Sequence, residues 1–296
     1  MRLPAFAIFV LPVLLLGGCT QSHTEPPVVD SGPTQTSSTL ADVLAAQPAE
    51  TQARYQYRNP QATLEFVGVQ PGMTVVEALP GGGWYSKILL EYLGNEGHLI
   101  GVNYAQDLWG NFPFANEEYL ANMAAWPTTW PQSAQAWRGA DSAGVSAFVF
   151  GNVAEERKGT VDAVLFVRAL HNMARFEEKT PFLHNALVDA YDLLKPGGIV
   201  GIVQHEARVD TPDAWANGSA GYLKRSKVIA AMEQVGFEYN GASDINANGL
   251  DQPTTDDVVW RLPPSFAGSK DNPGLKAAIV AVGESNRMTL KFTKPS

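Results

Sequence analysis

Met73-Thr74-Val75-Val76-Glu77-Ala78-Leu79-Pro80-Gly81-Gly82-Gly83-Trp84-Tyr85-Ser86-Lys87-Ile88-Leu89-Leu90-Glu91-Tyr92-Leu93 is the stretch whose reading decides the fold. Its first seven residues are a short, β-branched, apolar run, and from Trp84 onward the apolar side chains recur at helical spacing. Between them Pro80 and three glycines form a turn. A backbone that approaches a ligand closely at the end of a buried strand needs residues without side chains. The start of the following helix adds unpaired N–H groups at the same place.

Working outward, the same alternation recurs. Upstream, Leu40–Ala46 and Pro60–Val67 have helical spacing and form lead-in helices within residues 40–70, ended by a Pro71-Gly72 turn. Downstream, His98–Val102, Ala147–Phe150, Val161–Val167 and Ile199–Val203 read as strands with helical stretches between most of them. Thr180–Leu194 is the clearest helix, closed by Lys195-Pro196-Gly197-Gly198. Lys224–Val235 gives a last helix, and Phe237–Ser243 and Met288–Phe292 give two more strands. The expectation is an α/β, Rossmann-like, mostly parallel seven-stranded sheet with helices on both faces and a last antiparallel strand. With no internal repeat or second linker, residues 40–296 make one domain. The long excursion 244–284 holds Trp260, Pro263 and Pro264 and reads either as a wall or lid over a pocket or as the cover of a sheet edge.

Several of these blocks together resemble class I S-adenosylmethionine-dependent methyltransferases. Glu77-Ala78-Leu79-Pro80-Gly81-Gly82-Gly83 resembles their first motif, an acid followed by spaced glycines at the strand-to-helix turn. VDAVLFVRALHNM (161–173) resembles the fourth strand with its active-site loop, LLKPGGIVGIV (193–203) the turn and strand after it, and SNRMTLKF (285–292) the last antiparallel strand. A closer likeness is to an envelope-associated branch of predicted methyltransferases, carried by GGGWYSKIL, RALHNM, GYL…GF, LPPSF and GESNRMTLKF. The resemblance implies S-adenosylmethionine as cofactor, with Pro80, Gly81, Gly82 and Gly83 at its methionine end and Glu77 on its ammonium, an apt pairing of opposite charges.

Two positions depart from the family pattern. The acid expected on the ribose is Asn103, and the acid expected at the adenine amine is Asn152. An amide oxygen still accepts both hydrogen bonds, at a loss of ~1 kcal/mol each relative to a carboxylate. The same residues speak against a nicotinamide cofactor, whose fingerprint needs glycine where Ser86 stands and an acid near Asn103.

For the reacting end, Arg168, His171 and Asn172 fall just past the fourth strand, where open α/β sheets place their ligands, and His205 and Glu206 end the next one. Methyl transfer is an in-line displacement that needs a positioned nucleophile and sometimes a base. His171 is the first candidate for that base and His205 the second, with Asn172 beside them; a structural histidine is the competing reading. Tyr85, Arg168 and Glu206 are candidate substrate contacts. Trp84 stands beside the glycine turn, and Trp126, Trp130 and Trp137 are expected in core or lid packing. Metal is not expected, because no tight ligand spacing such as H-x-x-x-H occurs.

At the N-terminus Arg2 precedes an apolar run, Ala5–Leu16, too short and Pro-broken to span a bilayer. Leu16-Gly17-Gly18-Cys19, ending in the single cysteine of the chain, resembles a bacterial lipobox. The resemblance implies a signal peptide over 1–18, acylation of Cys19, and a Ser/Thr/Pro-rich tether over 19–39 too poor in apolar side chains to fold. Thr20, where Asp is absent, resembles Gram-negative sorting to the outer membrane. A formal charge of −9, or −10 once Arg2 leaves with the leader, makes nucleic acid a poor partner. A small-molecule substrate and a membrane held through lipid at Cys19 are the partners expected. Two functions compete: an exported methyltransferase with an unspecified acceptor, and a non-catalytic envelope lipoprotein that keeps the fold and binds another ligand. The second draws on the absence of an evident cofactor supply beyond the inner membrane.

Overall fold

The computed structural model describes residue 7 and residues 38–296. The proposed leader 1–18, apart from Ala7, Cys19 and nearly all of the proposed tether lie outside the described residues. Thr39, the last tether residue, is the N-cap of the first helix: its hydroxyl accepts from Asp42 N–H while the Asp42 carboxylate takes the Thr39 N–H, a reciprocal capping box.

Four short helices lead in: α1 (Leu40–Ala45), α2 (Ala49–Gln52), α3 (Tyr55–Arg58) and α4 (Pro60–Val67). The alternating part follows as β1 (Thr74–Ala78), α5 (Trp84–Leu93), β2 (His98–Asn103), α6 (Glu117–Gln135), β3 (Gly144–Val149), β4 (Val161–Val167), α7 (Leu170–Arg175), α8 (Phe182–Leu193) and β5 (Leu194–His205). The chain ends with α9 (Arg225–Val235), β6 (Glu238–Ser243), α10 (Pro273–Val282) and β7 (Arg287–Thr293). The seven strands lie in the order β3-β2-β1-β4-β5-β7-β6. β1 to β5 are mutually parallel where they pair, while β7 runs antiparallel between β5 and β6. The expected fold class is therefore the observed one.

Strand alternation divides the core in two. Val76, Ala78, Ile100, Val102, Val164, Phe166, Val200 and Ile202 face one layer with residues of α7, α8 and α9. Val75, Leu99, Ala163 and Leu165 face the other with α1, α4 and α5. Glu77 shares the parity of Val75 and is buried on the α5 side.

Three local readings differ from expectation. Residues 195–198 belong to β5, whose pairing with β4 shifts register between Val161 and Ala163, so the expected turn is a bulge in a longer strand. α6 is a long helix despite Pro127 and Pro131 within it. It is held by Trp130, whose ring fills the space beside Gly101 on β2, where a Cβ would lie 2.6 Å from it. The excursion 244–284 carries α10 and a short 3-10 turn at Val259–Arg261. No helix among the described residues is long and apolar enough to cross a membrane.

Candidate active site

β1 and β4 are neighbours at the centre of the sheet, and the chain moves away from them in opposite directions, to β2 on one side and to β5 on the other. Such a reversal opens a crevice at the carboxyl ends of the strands. The first residue beyond β1 and the first beyond β4 both bend into it. Leu79 (φ +53°) and Arg168 (φ +59°) are left-handed, a conformation that costs a non-glycine residue roughly 1–2 kcal/mol. Each is held by donating its N–H to the adjoining strand, Leu79 to Val102 O at 2.7 Å and Arg168 to Val203 O at 2.6 Å.

The three glycines have different tasks. Gly81 and Gly83 adopt φ of +56° and +76°, and Gly83 is the N-cap of α5 with no side-chain cap. A Cβ on Gly83 would sit 2.4 Å from the Trp137 ring, so this glycine serves helix packing. Gly82 needs neither allowance: its φ is not left-handed, and a Cβ there would meet nothing within 4 Å.

Gly81 and Gly82 form part of the wall of a cleft of about 470 Å³. Its other sides come from α3 and the residue before it (Arg58, Arg54), from the turn after β4 (Arg168, His171, Asn172), from His205 at the end of β5, and from the excursion (Trp260, Leu262, Pro263, Pro264) with Glu284 and Ser285. The excursion is thus a wall of the cleft. The Pro263–Pro264 peptide in that wall is cis.

The cleft is rich in cations. Buried Glu284 receives Arg54 Nε at 2.9 Å, Arg58 Nε at 3.3 Å and Arg287 Nη1 at 3.2 Å. Burial alone would raise this carboxyl, but Arg58, Arg287, Arg54 and Arg168 together outweigh it and hold it below its ordinary value. Arg58 also lies 4.4 Å over the Trp84 ring, and burial and then Arg168 push its guanidinium down to about 10. The Arg168 guanidinium has no hydrogen bond or ion pair among the described residues, and its Nε is shut off from solvent without a partner.

Both histidines of the cleft are buried. His171 Nδ1 lies 3.5 Å from Gln204 Oε1, and His205 Nδ1 lies 2.6 Å from Ser285 Oγ; the two rings are 5.5 Å apart. Burial takes His171 down to about 4, and burial with His171 and Arg168 takes His205 well below its ordinary value. Both imidazoles are therefore neutral near pH 7, able to accept a proton though weak as bases.

The residues expected from sequence divide. Pro80, Gly81, Gly82, Arg168, His171, Asn172 and His205 meet in the cleft. Asn152 lies in a second hollow of about 360 Å³ beside Gln106, Asp107 and Asn185. Glu77 is buried under α5, accepting from Ser86 Oγ at 2.6 Å, and burial raises its carboxyl to about 7. Asn103 is committed: its Oδ1 takes the Tyr104 N–H at 2.8 Å and its Nδ2 faces the Met123 sulfur at 3.8 Å. Tyr85 is a core residue whose hydroxyl donates to Arg58 O at 3.2 Å, and Glu206 forms a two-pronged ion pair with Arg225 at 2.8 and 3.0 Å. Neither is in the cleft wall. Arg54, Glu284 and Ser285 were not expected there. The sequence signal for Glu284 is an acid closely followed by Arg287 at the start of an apolar strand.

S-adenosylmethionine, which the sequence resemblance implies, fits this arrangement in one half. The bare backbone of Gly81 and Gly82 suits close approach of its amino-acid end. At the nucleoside end the amide of Asn103 already has protein partners, Tyr104 N–H and the Met123 sulfur. The buried Tyr104 phenol also reaches across the end of β1 to donate to Ala169 O at 2.8 Å. Tyr104 also receives Asn172 Nδ2 at 3.4 Å. Among the described residues no three His, Cys, Asp or Glu side chains gather as metal ligands would.

No protein-family model and no curated protein matches the sequence. Among solved structures, the chain is similar to the cyclase SpnF, named for a 4+2 cyclisation, at 15% identity over 80% of each chain with a TM-score of 0.45. It is similar to an S-adenosylmethionine-dependent methyltransferase from Aquifex aeolicus at 16% identity, over 71% of this chain and 94% of that one, with a TM-score of 0.44. An arsenic(III) S-adenosylmethionine methyltransferase from Chlamydomonas reinhardtii matches at 15% identity, over 87% of this chain and 73% of that one, with a TM-score of 0.43.

Proposed function

We propose that the chain is an S-adenosylmethionine-dependent methyltransferase whose acceptor binds in the cleft at the ends of β1 and β4. The observation that carries this reading is Gly82. Nothing in the protein requires a glycine there, neither backbone conformation nor a crowded neighbour, so what it leaves room for is a ligand. Arg168, His171, Asn172 and His205 line the same cleft, where an acceptor atom and a neutral base would have to meet. The cofactor would supply an electrophilic methyl group; the residues of this chain would position the acceptor and take up its proton. Calorimetry of the purified full-length protein with S-adenosylhomocysteine tests the reading. Micromolar binding is expected, and a folded protein that takes up none at millimolar ligand overturns it.

A second reading has its own support. Asn103 and Tyr104 already spend their polar atoms on protein partners, which favours a binding lipoprotein that keeps the fold and uses the cleft for a different small ligand. The same titration decides between the two. Export and lipid attachment at Cys19, on the periplasmic side of the envelope, remain part of the proposal, supported by Leu16-Gly17-Gly18-Cys19 and the Ser/Thr/Pro-rich stretch after it.

A further inference from the structure

The charge balance of the cleft is unequal. Arg54, Arg58 and Arg168 line it and Arg287 stands behind them, against the single carboxylate of Glu284. Glu284 spends its oxygens on Arg54, Arg58 and Arg287 and has none for Arg168. This excess of positive charge is gathered in one cleft of a chain whose formal charge is −9, with Arg58 and Arg287 buried and Arg54 and Arg168 partly exposed. The Nε of Arg168 is shut off from water with no partner, and a buried donor left unpaired costs free energy. At Arg168 that cost coincides with a left-handed backbone, which glycine would relieve. Neither cost is met by a hydrogen bond or ion pair of the guanidinium among the described residues. A second unpartnered donor is at hand, because Trp84, stacked against Arg58, keeps its Nε1 buried and unbonded. Donors without acceptors on two walls of one cleft call for a ligand rich in acceptors.

We infer that the cleft holds a small molecule through an oxyanion, a phosphate or carboxylate group, gripped by Arg168. A guanidinium matches that group because its planar fork offers two parallel N–H donors to two oxygens. The neutral imidazoles of His171 and His205 add donors without adding charge. A volume of about 470 Å³ suits a small ligand, and the acidic surface does not suit a polyanion. The inference rests on the cleft being the ligand site proposed above, and it concerns the acceptor and not the cofactor. The carboxylate of one amino-acid group would balance only one of the three excess positive charges.

The test uses the full-length protein, titrated calorimetrically with inorganic phosphate and with acetate, alongside S-adenosylhomocysteine. Vesicles of phosphatidylcholine, with and without phosphatidic acid, form a further arm. Millimolar binding of either free anion is expected. Arg168→Leu should weaken it about tenfold or more and Arg168→Lys by less, since charged hydrogen bonds are worth about 1.5–3 kcal/mol. Arg168→Leu should melt no lower than the parent, which separates lost binding from lost folding, and should leave homocysteine-ligand affinity within about twofold. Arg168-dependent capture of phosphatidic acid vesicles would assign the oxyanion to a lipid headgroup; binding of the free anions alone would assign it to a soluble ligand. Absence of all anion binding, or binding indifferent to Arg168, overturns the inference. So does one-for-one displacement of phosphate by S-adenosylhomocysteine with both lost in Arg168→Leu, which would give Arg168 to the cofactor. Anion binding without any S-adenosylhomocysteine binding would sustain this inference and sink the methyltransferase reading; the reverse result would do the opposite.

Discussion

Replacing Glu77 by glutamine should make the protein more stable at alkaline pH than at acid pH, relative to the parent. Glu77 is buried with one hydrogen bond, from Ser86, and burial raises its carboxyl from 4.5 to about 7. An acid with a raised folded value is a burden on the fold in its charged form. The burden is absent while both states are protonated, grows from pH 4.5 to about 7, and is constant above that. At about 1.4 kcal/mol per tenfold change in acidity, it reaches about 3 kcal/mol. Glutamine keeps the acceptor for Ser86 but buries an amide N–H₂, a pH-independent cost of about 1–3 kcal/mol. That cost cancels when the two proteins are compared at two pH values. Between pH 5 and pH 8 the stability of Glu77→Gln relative to the parent should rise by about 2–3 kcal/mol. For a domain of this size that is a relative gain of about 5–10 °C in melting temperature. Urea titrations of both proteins at the two pH values measure it directly. A difference that does not change with pH would mean that Glu77 ionises as it does in water, and the argument from its burial would fail.

Gly82→Ala should leave stability within about 0.5 kcal/mol, since its Cβ meets nothing, yet weaken cleft ligands about tenfold. Gly83→Ala should instead destabilise by about 2 kcal/mol or more, through its left-handed φ and the Trp137 ring, as thermal unfolding would register. His171 is held neutral by burial down to about 4, so its contribution to stability is present above the ordinary value of 6.5 and is lost as pH falls from there toward 4. His171→Gln should lack about 3 kcal/mol of that acid slope, measured by urea unfolding between pH 4 and 7.5. Tyr104→Phe removes the bond to Ala169 O and should tighten S-adenosylhomocysteine about fivefold if the phenol must move aside; unchanged affinity would show that it stays. Cys19→Ser should abolish incorporation of radiolabelled fatty acid in cells, and continued labelling would refute the lipobox.

The part of the fold legible in sequence was the part that local patterning controls. Val75–Ala78 and Ala163–Phe166 are buried on both faces and so read as short apolar runs, broken only by Glu77 in the first. The glycine turn then fixed which end of the sheet would carry a site. α6 was illegible because Pro127 and Pro131 are read as helix breakers, and what overrides them is tertiary packing, Trp130 set into the gap above Gly101. Spacing rules found the side chains that follow β1, β4 and β5 directly, since strand ends come together in any parallel sheet. They could not find the Arg54–Arg58–Glu284 cluster, in which the two arginines lie 230 and 226 residues from the acid and meet it only once β7 has inserted between β5 and β6. Nor could they separate Glu77 from the cleft. Alternation sends its side chain beneath α5, while the glycines of the same motif continue into the open crevice. A motif that is contiguous in sequence is thereby split between core and site, and only the backbone half of it is free to meet a ligand without the protein first rearranging.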